Sequence, residues 1–125
     1  MNNKYILVEK WLENLCNNRY WSEYLSRYNY NKIAIYGAGD LGRYLTMELK
    51  DSKIDIICFV DIRAKELITV LGHPVITLDD FINNYNYVDA LIVSVPSVYD
   101  ELMNKIVEEI PEMPVMSLKD MLYEF

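Results

Sequence analysis

Three of the four glycines in this 125-residue chain, Gly37, Gly39 and Gly42, lie close together in a Gly-x-Gly-x-x-Gly pattern. The pattern directly follows the apolar run of residues 32–36. In this context the first glycine permits a tight turn, the second lets a phosphate approach the backbone, and the third lets a helix pack closely on the strand. The free amides of that helix's first turn would then face the phosphate. The loop of residues 37–42, called the glycine loop below, is therefore a predicted nucleotide site.

The glycine loop also contains Ala38, Asp40 and Leu41, which belong to the predicted site. Asp40 adds a negative charge where a phosphate would lie, which weakens the attraction for an anion. An aspartate at this point can instead cap the helix that follows. The alternative to a ligand site is that the glycines only shape a turn between a strand and a helix.

A second apolar run, residues 54–60, ends at Asp61, which stands 19 residues after Gly42. A carboxylate at this position can accept hydrogen bonds from ribose hydroxyls and would repel a 2′-phosphate. We therefore expect NAD or a nucleotide-sugar as the ligand, with NADP less favoured. Arg63 could relieve the repulsion of a 2′-phosphate. Alternatively, Asp61 only ends a strand.

Short apolar runs alternate with helical patterns along most of the chain. The runs are residues 32–36, 54–60, 74–77, 90–95 and 114–116. This alternation predicts the α/β class, a Rossmann-like doubly wound parallel sheet of about five strands. Right-handed crossovers favour the strand order 3-2-1-4-5. Residues 62–72 are too short and mixed to be a full crossover helix.

Three helix starts have the same spacing of a hydroxyl and a carboxylate. Thr77, Ser97 and Ser117 each stand three residues before an aspartate, which is the capping-box spacing. In the predicted order, strands one and four are neighbours, and their carboxyl ends form the expected ligand crevice. Ser94, Pro96 and Ser97 would form its far wall, with Ser97 also acting as a helix cap.

An extra helical segment precedes the first strand, so we predict an N-terminal segment at residues 1–30 and the nucleotide-binding domain at residues 31–125. Apolar residues recur at helical spacing through residues 4–28, with a break or kink near residues 16–18. The segment is rich in large aromatics: Trp11, Tyr20, Trp21 and Tyr24. They either pack on the domain or form a subunit interface, where Trp and Tyr are favoured. We predict a homodimer through this segment.

Charge and composition exclude several partners. The net charge of −7 without a cluster of Lys or Arg argues against nucleic-acid binding. The sequence contains no run of 18 apolar residues, so no membrane span is predicted. Residues 1–10 are not expected to form a signal peptide. The two cysteines, Cys16 and Cys58, are far apart, which fits a cytoplasmic protein.

The sequence offers no convincing catalytic group. Tyr28 and Lys32 have the Tyr-x-x-x-Lys spacing of short-chain dehydrogenases, but they precede the first strand, whereas that pair follows the fourth. His73, in a Gly-His-Pro turn, is the only histidine, and a zinc site is not expected. The expected role is thus a nucleotide-binding module without catalysis of its own. A sugar-modifying enzyme fragment that uses NAD or NADP and a dimerisation module without a ligand are the alternatives.

The chain resembles the Rossmann-like domains of bacterial polysaccharide-biosynthesis proteins over residues 32–122. The resemblance lies in residues 33–43, 59–61, 72–76 and 91–96. Such domains occur at the amino terminus of sugar acetyltransferases, in nucleotide-sugar dehydratases, and attached to glycosyl- and methyltransferases. The resemblance implies binding of NAD(P), a nucleotide-sugar or, in relatives, coenzyme A, which is less favoured here. The glycine loop and Asp61 are the positions that carry over. The catalytic domains that accompany such modules are absent from this sequence, and the N-terminal helix is not part of the pattern.

Overall fold

One mixed sheet lies between two layers of helices in the computed structural model, which describes residues 3–125. The helices are α1 (Asn3–Cys16), α2 (Trp21–Arg27), α3 (Asp40–Leu49), α4 (Ala64–Leu67), α5 (Leu78–Asn84), α6 (Tyr99–Glu109) and α7 (Leu118–Glu124). The strands are β1 (Lys32–Tyr36), β2 (Asp55–Val60), β3 (Thr69–Val70), β4 (His73–Ile76), β5 (Ala90–Val93) and β6 (Val115–Ser117). A short 3-10 turn, Pro96–Val98, joins β5 to α6.

The strands follow the order β3-β4-β2-β1-β5-β6. Five of them are parallel, and their order β4-β2-β1-β5-β6 is the predicted 3-2-1-4-5 arrangement, which confirms the fold class. The sixth strand, β3, was not predicted and pairs antiparallel with β4 at the edge. It lies in residues 62–72, where two residues of strand are too few to show alternation. Leu71 and Gly72 both have positive φ and close the hairpin.

Side chains of β1 alternate between the two helical layers. Ile33 and Ile35 belong to the core formed with α1, α2, α3 and α7. Ala34 lies in the core on the opposite face, formed with α5 and α6, and Tyr36 packs against that core. This alternation follows from the pleat of a strand, and it fixes which residues at the end of β1 face each side of the sheet.

The aromatic side chains of the N-terminal segment are part of the core. Trp11, Trp21 and Tyr24 are buried, with exposed fractions of 5%, 0% and 3%. The Trp11 indole and the Trp21 amide both donate to the Glu48 carboxylate of α3, at 2.7 Å each. Of the two alternatives for the stripe, packing on the domain therefore accounts for these three residues, while Tyr20 remains 38% exposed.

Two of the three predicted helix caps are present. Thr77 Oγ1 accepts a hydrogen bond from the Asp80 amide at 3.1 Å, and Ser117 Oγ accepts one from the Asp120 amide at 3.3 Å. The prediction that Ser97 caps a helix is wrong. Pro96 begins the 3-10 turn directly after β5, so the α-helix starts later, at Tyr99, with no side-chain cap.

No helix within residues 3–125 has the length and apolar character that crossing a membrane requires.

Candidate functional site

The three glycines of the glycine loop have three different environments. Gly37 has φ +101, and a Cβ there would lie 2.6 Å from the side chains of Ser94 and Val95. A Cβ on Gly42 would lie 2.1 Å from the carbonyl oxygen of Gly37, so α3 can approach β1 only without a side chain. Around Gly39 there is no atom within 4 Å of the added Cβ. The first and third glycines are thus required by the fold, whereas the second faces open space.

Hydrogen bonds from two sides hold the glycine loop in place. The Ala38 amide donates to Asp61 Oδ2 at 2.9 Å, which joins the loop to the end of β2. Ser94 Oγ lies 2.8 Å from the carbonyl oxygen of Tyr36 and 3.0 Å from that of Gly37, which joins it to the end of β5. Ser94 is 4% exposed, so this hydroxyl serves the loop and not the solvent.

Asp61 has more partners than the sequence suggested. Its Oδ1 accepts from the Arg63 amide at 2.9 Å and from Arg63 Nε at 3.0 Å. Its Oδ2 accepts from Arg63 Nη2 at 3.0 Å as well as from Ala38. A carboxylate has about four acceptor positions, and all are filled here. A ribose hydroxyl would have to displace a bond from Arg63, whose side chain is 52% exposed. The predicted ribose contact therefore stays a prediction.

The charge of Asp61 is stabilised despite its burial at 7% exposure. Burial alone would raise the pKa of this carboxyl. The hydrogen bonds from the Arg63 side chain and from the Ala38 and Arg63 amides outweigh it and hold the pKa below its ordinary value. Asp61 is therefore ionised at neutral pH and binds the loop as an anion.

The negative charge of Asp40 is offset by a residue that the sequence did not single out. Lys4 Nζ lies 2.6 Å from Asp40 Oδ2, and both side chains are about half exposed, at 49% and 50%. The hydrogen bond from Lys4 and its charge lower the pKa of Asp40. Asp40 does not cap α3, whose N-cap is Gly39 without a side-chain bond. As in any α-helix, the amides of the first turn have no acceptor within the helix, and the Asp40 side chain does not cap them.

A cavity of about 330 Å³ lies against the glycine loop. Its lining comprises Lys4, Leu7, Gly39, Asp40, Leu41, Ser94, Val95 and Pro96. Five predicted site residues are among them. Gly37, Ala38 and Gly42 form the rest of the loop, while Asp61, Arg63 and Ser97 do not line the cavity. A larger cavity of about 590 Å³, between α3 and the β3–β4 hairpin, contains no residue of the loop.

Sequence reasoning missed Lys4 and Leu7, which α1 contributes to this cavity. No motif marks either residue. The available signal was indirect. The aromatic residues of α1 pack along α3, and this packing brings the first turn of α1 near the start of α3. Asn14 Nδ2, which donates to the Leu122 carbonyl at 2.9 Å, and the contacts of Trp11 with Glu48 fix that path.

Other groups that could take part in chemistry lie apart from the glycine loop. Cys58 is fully buried, and burial raises its pKa to about 12, so its thiol is not a nucleophile at neutral pH. Within residues 3–125 no group of three His, Cys, Asp or Glu side chains could hold a metal ion. The titratable side chains lining the loop cavity are those of Lys4 and Asp40.

Comparison with known proteins supports the fold. The solved structure of UDP-D-quinovosamine 4-dehydrogenase from Vibrio fischeri is similar, with a TM-score of 0.57 and 23% sequence identity. The alignment covers 75% of this chain and 84% of that one. At this identity the likeness establishes the fold alone. The search of curated proteins found no match.

A protein-family model described as C2185-like, N-terminal, matches residues 29–116. The matched range contains the glycine loop, Asp61 and the turn after β5, and it leaves α1 outside. Because the match spans well over half of the sequence, the chain belongs to the C2185-like, N-terminal family.

Proposed function

We propose that this chain is a binding module that holds the diphosphate of NAD or of a nucleotide-sugar on the glycine loop. The observation that carries the proposal is the open space at Gly39, beside the first turn of α3 and at the edge of a cavity. Gly39 has φ −88, a value that any residue can adopt. Neither backbone conformation nor packing requires a glycine there, and the missing side chain leaves room for close approach of a ligand.

The surrounding groups suit an anion. Residues at the start of α3 line the cavity, where the free amides and the dipole of a helix N-terminus favour negative charge. Lys4 offsets the charge of Asp40, so the loop does not present an uncompensated carboxylate to a phosphate. A ligand of this class would bind at the carboxyl ends of β1 and β5, the switch point of a doubly wound sheet.

The biological setting is also a proposal. The solved neighbour is by its name a dehydrogenase of a UDP-linked sugar, and the sequence resembles modules of polysaccharide biosynthesis. A cytoplasmic module that presents a nucleotide-sugar or a cofactor to a sugar-modifying partner domain fits both. The groups lining the loop cavity include no histidine or tyrosine for acid–base work, which favours binding without turnover.

A thermal-shift panel tests the proposal with NAD, NADP, UDP, UDP-glucose and coenzyme A. A ligand at 100 times its dissociation constant should stabilise the fold by about 2.7 kcal/mol, which raises the melting temperature by several degrees. We expect a shift with NAD or a UDP compound, and no chemical change of the ligand on long incubation. A flat panel would favour a dimerisation module, and turnover would favour the enzyme alternative.

Gly39→Val is the matching variant, with Gly39→Ala as the graded control. Because no atom lies within 4 Å of the added Cβ, both variants should fold as the wild type does. The larger side chain should fill the place of the phosphate and abolish binding, and alanine should weaken it less. A folded Gly39→Val protein that binds the wild-type ligand unchanged would refute the assignment of the loop.

A further inference from the structure

A further cavity, of about 250 Å³, opens on the opposite face of the sheet from the glycine-loop cavity. The residues around it are Tyr36, Leu78, Val98, Glu101, Leu102 and Lys105. They come from the end of β1, the start of α5, the 3-10 turn and the first two turns of α6. None of them is a predicted site residue, and the cavity is called the Tyr36 cavity below.

The Tyr36 cavity adjoins the glycine loop along the chain. Tyr36 is the last residue of β1 and Gly37 is the first of the loop. The Tyr36 side chain packs on the α5 and α6 side, while its carbonyl faces Ser94 Oγ at 2.8 Å. The two cavities therefore flank the carboxyl end of the same strand, one on each face. A ligand with its diphosphate on the loop would reach the Tyr36 cavity by extending over this edge.

The Tyr36 cavity combines hydrogen-bond donors and an acceptor with an apolar floor. Glu101 supplies an acceptor and Lys105 a donor, and the two stand one helical turn apart on α6, a spacing that places their Cβ atoms about 5–6 Å apart. Tyr36 adds a hydroxyl, and burial followed by the charges of Asp61 and Glu101 raises its pKa, so it stays a donor at neutral pH. Lys105 also lies 4.0 Å from Asp79, which holds it at the rim.

This chemistry suits an uncharged, hydroxyl-rich group. Glu101 and Asp79 together outweigh the ammonium of Lys105, so no net positive charge is present to attract a second phosphate. Alternating donors and acceptors match neighbouring hydroxyls, and the side chains of Leu78, Val98 and Leu102 offer an apolar surface for the carbon face of a sugar ring.

We propose that the Tyr36 cavity binds the sugar of a nucleotide-sugar whose diphosphate lies on the glycine loop. The inference rests on the proposed function and narrows its ligand from NAD or a nucleotide-sugar to the latter. Tyr36 and Glu101 are the residues that distinguish the sugar-linked nucleotide from the bare nucleoside diphosphate.

Isothermal titration of the full chain with UDP, UDP-glucose and NAD tests it. The wild type should bind UDP-glucose about tenfold more tightly than UDP. Tyr36→Phe and Glu101→Gln should each remove most of that difference and leave the affinity for UDP unchanged. Glu108→Gln, a change at an exposed position of the same helix, is the matched control and should retain the full difference.

The outcomes separate the inference from the proposed function. Equal binding of UDP and UDP-glucose by the wild type, or variants that keep the tenfold difference, would overturn the sugar site and leave nucleotide binding in place. Binding of NAD without binding of either UDP compound would do the same. Binding of none of the three would overturn the proposed function and the sugar site together.

Discussion

The Asp61 carboxylate accepts a hydrogen bond from the Ala38 amide at 2.9 Å, so the end of β2 directly fixes the second residue of the glycine loop. The same carboxylate holds the Arg63 side chain through Nε and Nη2. A single buried anion thereby couples the loop between β1 and α3 to the turn after β2. This coupling makes Asp61 a structural group of the site, independently of any contact with a ribose.

Asp61→Asn should lower the free energy of unfolding by about 2–3 kcal/mol, because hydrogen bonds to a buried charged group are worth more than neutral ones. An amide keeps the shape of the side chain but can accept at only one of the two oxygen positions. Urea denaturation measures the loss. Asp55→Asn, at the exposed start of the same strand, is the control and should change stability by less than about 0.5 kcal/mol. Equal stabilities of the two variants would contradict the role of Asp61.

The pH dependence of stability should carry the signature of the same group. The folded-state pKa of Asp61 lies below the ordinary value of 3.8, so the unfolded chain binds the proton more readily. Its contribution is therefore complete above about pH 5 and is lost as the pH falls through the folded-state pKa. The difference in unfolding free energy between the wild type and Asp61→Asn should shrink as the pH falls from about 5 to 2.5. A constant difference would show that the carboxylate charge contributes nothing.

Much of the fold was predictable from local patterns, and the reasons are visible at particular elements. The prediction of β1 matches its observed bounds, Lys32–Tyr36, because a buried parallel strand ended by glycine has a clear apolar signal. The caps at Thr77 and Ser117 followed from side-chain chemistry alone. The β3–β4 hairpin was missed because its turn places Leu71 in a positive-φ conformation that no residue preference indicates.

The site itself was predictable only in part. The glycine pattern fixed the loop, but it could not show that Gly39 faces open space while Gly42 meets backbone. Three of the four hydrogen bonds to Asp61 depend on the path of Arg63 two residues later, which spacing does not reveal. Lys4 is 36 residues from Asp40, and only the packing of a whole helix brings them together.

Gly42→Ala should destabilise the fold, although alanine is ordinarily a better helix residue than glycine by about 1 kcal/mol. The new Cβ would meet the Gly37 carbonyl at 2.1 Å, so α3 or the loop must move. We expect a loss of about 1–3 kcal/mol, as for other overpacked sites. Thermal unfolding compares this variant with Gly39→Ala, which adds the same methyl group to open space. A Gly42→Ala protein as stable as the wild type would contradict the close approach of α3 to the loop.

The predicted homodimer can be tested by a substitution on the apolar surface between α1 and α3. A cavity of about 450 Å³ there is bordered by the side chains of Val8, Leu12, Leu15, Tyr44 and Met47. Leu12 and Met47 are 57% and 54% exposed. Sedimentation should show a dimer at high micromolar concentration, and Leu12→Glu should abolish it. The control is Ile62→Glu, at a site 90% exposed beyond β2. A wild-type monomer at this concentration would remove the prediction and leave the aromatic stripe with its role in the core.

Lys4→Met should weaken the binding of nucleotide to the glycine loop. The ammonium group offsets Asp40 at the edge of the cavity, and without it a phosphate would meet an uncompensated carboxylate. Two unit charges about 4 Å apart in water interact by about 1 kcal/mol, which corresponds to roughly a fivefold loss of affinity. Because the effect is electrostatic and exposed, it should diminish as the ionic strength rises. Isothermal titration at low and high salt measures it against Lys53→Met, which removes an exposed charge from the turn before β2. Equal losses in the two variants would show only the effect of net charge, whereas a loss confined to Lys4→Met would establish that α1 is part of the ligand site.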